Sequence, residues 1–107
     1  MQRICAVINV KPEAIPEYER VHADAWPAIL ATLTRCNVRN FSIYRYNHLL
    51  ISYMEYIGKD YEADMALIAA DPDTKEWWKV TDPMQTPVPE RLDNEWWHPV
   101  PEVFHLD

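Results

Sequence analysis

Asn40-Phe41-Ser42-Ile43-Tyr44-Arg45-Tyr46-Asn47-His48-Leu49-Leu50-Ile51-Ser52-Tyr53-Met54-Glu55-Tyr56-Ile57 decides the fold. Each arm alternates and is rich in β-branched and aromatic residues, the pattern of strands whose side chains point in turn to opposite faces. Asn47-His48 between them is a tolerant turn pair, so the stretch predicts a β-hairpin.

What flanks the hairpin supplies the remaining elements. Upstream, Arg3 to Val10 is short and rich in Ile and Val, a strand ended by Asn9-Val10-Lys11-Pro12. Pro12 opens a helix expected to run to about Cys36, with Glu13 and Glu17 in its first turns, where carboxylates favour the helix dipole. Ile15, Tyr18, Val21, His22, Ala25, Trp26, Ile29, Leu30 and Leu33 form its apolar stripe, and Pro27 predicts a kink around Trp26. Downstream, Gly58-Lys59-Asp60 ends the hairpin and caps a helix over Tyr61 to Ala70. Asp71-Pro72-Asp73 starts another through Lys75-Glu76-Trp77-Trp78-Lys79, with Asp71 as cap and Pro72 in the first turn. Five of the nine prolines then fall in Pro83 to Pro101, a loop without periodicity. It holds Trp96 and Trp97, which a solvating linker would not carry, so it is expected to wrap back onto the domain. Glu102-Val103-Phe104-His105-Leu106 reads as a last short strand. The order β-α-β-β-α-β is the ferredoxin-like split βαβ arrangement, an α+β fold with an antiparallel sheet and helices on one face. The sheet's other face must meet solvent, a ligand or a second subunit, and dimerisation through it is the natural expectation.

A chain of 107 residues is expected to form a single domain over 1–107. The formal net charge of -7, with its ten Lys and Arg scattered, argues against nucleic acid and for an uncharged or cationic ligand. Cys5 and Cys36 have neither CxxC nor Cys/His spacing, so no disulfide framework or zinc site is signalled, and a reducing cytoplasm is the expected location. No apolar run approaches the roughly 18 residues that span a bilayer, and the start, Met-Gln-Arg-Ile-Cys, enters a strand pattern rather than a signal segment.

Five Trp and six Tyr supply rings with polar edges. Tyr18, His22 and Trp26 recur every fourth residue, and at about 100° per residue such positions lie near one another on one helical face. A phenol, an imidazole and an indole together suit a small polar ring, whose apolar C–H faces stack on aromatics while its hydroxyls find polar groups. Trp77-Trp78 is the second element: on a helix, one indole can enter the core while the other lines a cavity. Aromatics at this spacing ordinarily pack a core, however, and a histidine among them is ordinarily structural.

Other chemistries lack their motifs. There is no Gly-rich phosphate loop, GxSxG elbow, HExxH or carboxylate and histidine set at metal spacing. Ser42 and Ser52 lie in strand patterns, and His48, His98 and His105 lie in a turn, a loop and a strand.

Tyr18-x3-His22-x3-Trp26-Pro27, Asn40-Phe41-Ser42-Ile43-Tyr44, Trp77-Trp78-Lys79-Val80-Thr81-Asp82 with Met84, and Glu102-Val103-Phe104 resemble the L-rhamnose mutarotase family in order and spacing. The resemblance covers nearly the whole chain. It implies a dimeric α/β barrel of two ferredoxin-like sheets that interconverts the α and β anomers of a deoxy-hexose without metal or organic cofactor. By position, His22 matches the family's proton donor, and Tyr18 and the Trp77-Trp78 pair match its substrate contacts. Phe41 departs from a substrate-contacting Tyr, keeping the ring without the hydroxyl, which leaves the choice between L-rhamnose and L-fucose open. Trp26, beside Pro27, is expected to pack in the core. Two other readings use the same features: a non-catalytic carbohydrate-binding or sensory module, and an oxygenase-like enzyme on the same fold.

Overall fold

The computed structural model describes residues 1–107. Strand β1 (Gln2–Val10) is followed by a 3₁₀ turn (Pro12–Ala14), α1 (Ile15–Ala23), α2 (Pro27–Arg35), β2 (Val38–Tyr46) and β3 (Leu49–Tyr56). Then come α3 (Tyr61–Ala70), α4 (Pro72–Thr81), a second 3₁₀ turn (Asp82–Met84), β4 (Gln85–Thr86) and β5 (His98–Val100). The sheet runs β2-β3-β1-β4, with every pairing antiparallel, and β5 shares with β4 the free edge of β1. This is the split βαβ topology expected from the hairpin outward.

Register places the core. Val10, Ile8, Ala6 and Ile4 share a face, with Ile8 opposite Leu50 and Ile4 opposite Met54. Ile8, Val10, Leu50 and Tyr18 are buried together, with Ile15, Ile43, Met84 and Trp97 packed around them. Full burial of each aliphatic side chain contributes roughly 1.5–3 kcal/mol. Cys36, Val38 and Ile68 form a second cluster under Leu33, Met54 and Met65. At the hairpin tip Asn47 takes φ 54°, the left-handed region that asparagine tolerates. Asn40, at φ 49°, lies where the β2–β3 register slips between Arg39 and Ser42.

Three sequence expectations change. The helix from Pro12 to Cys36 is broken rather than kinked: Trp26 is extended (φ -63°, ψ 130°) and Pro27 starts α2. A residue before proline is pushed out of the helical region, and a proline fits a first turn, where no N–H is required. Trp26, at the break, is 37% exposed and is not a core residue. The last strand is His98–Val100, not Glu102–Leu106. Val100 lies opposite Cys5, so continuing that register brings Val103 to Gln2, the first residue of β1, and leaves Phe104 to Leu106 beyond it. Glu102 is instead held by a two-pronged bond from Arg3, at 2.9 and 3.0 Å.

The caps of the two later helices are those read from sequence. The Asp60 carboxylate accepts from Ala63 N–H, and that of Asp71 accepts from Thr74 N–H. The Asp71 carboxylate also accepts the Thr32 hydroxyl at 3.2 Å, which ties α4 to α2 and sets the position of Trp77. No helix is long and apolar enough to cross a membrane.

Candidate functional site

Tyr18 and His22 stand one turn apart on α1, with ring centroids 4.1 Å apart and planes inclined by 24°. Nδ1–H of His22 donates to the carbonyl oxygen of Tyr18 at 2.8 Å. A carbonyl only accepts, so Nδ1 carries the proton and Nε2 presents a lone pair. Trp77 of α4 meets the His22 ring edge-on at 5.2 Å, and Trp26 meets Trp77 edge-on at 5.1 Å. Burial in this aromatic setting lowers the His22 pKa from its ordinary value, partly offset by the bond to Tyr18.

The Tyr18 hydroxyl is equally constrained. Gln85 of β4 donates from Nε2 to Tyr18 Oη at 3.1 Å, while its Oε1 accepts from Trp96 Nε1–H at 2.8 Å. Burial pushes the Tyr18 phenol up to about 12 against the Gln85 donor, and the charge of Asp82 adds to the rise. Asp82 is itself raised by burial. Beside Tyr18 and His22 opens a hollow of about 330 Å³ bordered by Glu19, Ile43, Arg45 and Leu50. That is the small end of ligand clefts, which span about 300–1,000 Å³. Glu19 and Arg45 pair across its rim.

The structure therefore brings Tyr18, His22 and Trp77 together. Phe41 is not brought to them and lines a separate hollow of about 190 Å³ with Leu30, Leu33 and Thr34. Trp77 is buried, as expected of one of two adjacent helical indoles, while Trp78 is 38% exposed and borders neither hollow. Gln85, Asp82 and Arg45 were not singled out from sequence, and Trp96 only as a residue that folds back. Gln85 lies in the stretch without periodicity, and the Trp96-Trp97 pair was its one signal.

Fold and site define a small α+β protein of ferredoxin-like topology with an imidazole held open among aromatic rings. The L-rhamnose mutarotase family model matches residues 3–106, and the chain belongs to that family, whose named relatives are isomerases of sugar anomers. An L-rhamnose mutarotase of Lactiplantibacillus plantarum is 32% identical over 113 residues, covering all of both chains. An L-fucose mutarotase of Xanthomonas campestris pv. campestris is 30% identical over 112 residues, covering 99% of this chain and 89% of that one. Among solved structures, an L-rhamnose mutarotase from Formosa agariphila superposes with TM-score 0.79 at 20% identity, all of both chains being covered. Tetracenomycin F2 cyclase from Streptomyces glaucescens superposes with TM-score 0.73 at 15% identity, covering 100% of this chain and 98% of that one. Both superpositions bear on the fold.

Proposed function

We propose that the protein is a sugar mutarotase that interconverts the α and β anomers of a 6-deoxy-hexose, with His22 as general acid and base. The observation that carries this reading is the His22–Tyr18 hydrogen bond, which leaves Nε2 as an unengaged proton acceptor in an aromatic site. Ring opening requires that the anomeric hydroxyl lose a proton, the C1–O5 bond break and the ring oxygen gain a proton. Rotation about C1–C2 and reclosure on the opposite face of the carbonyl then give the other anomer. Only protons move between protein and sugar, so no metal or organic cofactor is called for. A positioned general acid or base contributes roughly 10²–10⁴-fold to such a step.

Tyr18, Trp77, Trp78 and Phe41 are assigned as substrate contacts. Phe41, in the irregular part of β2, lines the hollow at Leu30 and Leu33 and not the one at Tyr18 and His22, so its assignment rests on the family pattern. The relatives named for L-rhamnose and L-fucose differ in their sugar, and Phe41 is the residue assigned to that choice. Saturation-transfer NMR between the two anomers of each sugar tests the activity. Exchange that rises with protein concentration is expected, and exchange no faster than in buffer for either sugar overturns the reading.

The open face of the sheet carries Val7, Leu49 and Ile51, apolar side chains left only partly covered. A second copy of the chain is the occupant assigned to this face, giving a homodimer. Sedimentation checks this, and a stable monomer contradicts it. The free thiols Cys5 and Cys36 fit a reducing compartment, and the cytoplasm is the assigned location.

A further inference from the structure

We infer that Gln85 and Trp96 are positioning residues that aim the Tyr18 hydroxyl hydrogen at the sugar, making Tyr18 the second proton-transfer group beside His22. The inference rests on the mutarotase reading and supplies the acid that His22 alone leaves unassigned. It follows from hydrogen-bond direction. An indole N–H can only donate, so the atom of Gln85 that meets Trp96 Nε1 at 2.8 Å is its carbonyl oxygen. The amide cannot then be turned around, and its NH₂ end meets Tyr18 Oη at 3.1 Å as a donor. Tyr18 spends a lone pair on that bond and keeps its own hydrogen, for which the chain offers no acceptor.

The surroundings hold this arrangement in place. Gln85 is 6% exposed, and its backbone pairs with Val10, a core residue of β1. Burial keeps the Tyr18 phenol protonated far above neutral pH. His22 has the opposite polarity, with Nδ1 donating to backbone and Nε2 open. One face of α1 therefore offers a donor and an acceptor, the first directed by Gln85 and the second by the Tyr18 backbone carbonyl.

The step balances. His22 Nε2 takes the proton of the anomeric hydroxyl, the C1–O5 electron pair leaves with O5, and O5 takes the Tyr18 hydroxyl proton. Gln85 Nε2–H steadies the transient phenolate, as a preorganised donor does. After C1–C2 rotation, O5 attacks the carbonyl carbon and returns its proton to Tyr18. The carbonyl oxygen recovers a proton from His22, and both groups end as they began.

Gln85→Glu tests this, because a carboxylate of the same length still accepts from Trp96 but also accepts from Tyr18 and captures its hydrogen. Anomer exchange measured across sugar concentrations should lose roughly a hundredfold in kcat, the low end of what a positioned acid contributes, with KM near wild type. Trp96→Phe frees the amide to turn and should lower kcat in the same sense. In a Tyr18→Phe background Gln85→Glu should cost nothing more, whereas a merely structural role would cost as much as before. Folded Gln85→Glu and Trp96→Phe proteins exchanging at the wild-type rate, or an undiminished cost in the Tyr18→Phe background, overturn the inference alone. A wild-type protein that does not exchange anomers overturns the mutarotase reading beneath it.

Discussion

The Nδ1–H of His22 donates to the carbonyl oxygen of Tyr18 at 2.8 Å, on the same α1 face where the two rings stack. One consequence is a pH profile. Burial lowers the His22 pKa below its ordinary value of about 6.5, so the imidazole is neutral at pH 7 and Nε2 can accept a proton. The rate, corrected for exchange in buffer, should be level above about pH 6.5 and fall as pH drops through the lowered pKa. Stability follows the same sign: the neutral buried ring contributes fully above the unfolded pKa and loses that contribution as pH falls through the folded one. An acid limb of the rate with its midpoint at or above the ordinary value contradicts this.

Trp77 and Trp78 should separate packing from recognition. Trp77, 8% exposed and edge-on to both His22 and Trp26, should lose about 3–5 kcal/mol of stability as Trp77→Ala. Trp78→Ala should leave Tm near wild type and raise KM for the sugar. Thermal denaturation and saturation-transfer NMR read the two effects, and an unchanged KM for Trp78→Ala would deny Trp78 a role in recognition.

Phe41→Tyr introduces a hydroxyl at the hollow lined by Leu30 and Leu33. The ratio of exchange rates for L-rhamnose over L-fucose should rise. One hydrogen bond to a sugar hydroxyl contributes about 0.5–1.5 kcal/mol, enough for a shift of a few-fold to about tenfold. An unchanged ratio removes Phe41 from the specificity assignment.

Gly58 leaves room for Tyr56. A methyl group there would overlap the Tyr56 ring and hydroxyl and stand 2.8 Å from the Asp64 carboxylate that accepts from it. Tyr56 is among the most buried side chains and cannot swing away freely. Gly58→Ala should therefore carry an overpacking cost of about 1–3 kcal/mol, seen as a lower Tm with the anomer-exchange rate little changed at low temperature. An unaltered Tm contradicts it.

Signals carried by neighbouring residues were legible before the structure. The alternation of residues 40–57, the Asp60 and Asp71 caps and the Tyr18 to His22 spacing each act within a few residues, and the elements they predict are present. Pro27 reads as a kink within one helix, but a proline also fits the start of a helix. The choice is made in space, where the extended Trp26 meets Trp77. The last strand differs from the sequence expectation because pairing depends on β1, whose Cys5 to Val7 segment meets His98 to Val100 and whose start at Gln2 leaves Phe104 to Leu106 without a partner. Gln85 was invisible for a related reason: its two partners lie 67 residues before it and 11 after it, and no periodicity joins them.

His22→Asn tests the central claim most directly, since the asparagine amide can still donate to the Tyr18 carbonyl while lacking Nε2. Saturation-transfer NMR on the folded variant should show anomer exchange of L-rhamnose and L-fucose slowed roughly 10²–10⁴-fold. Exchange at the wild-type rate by folded His22→Asn would contradict the account.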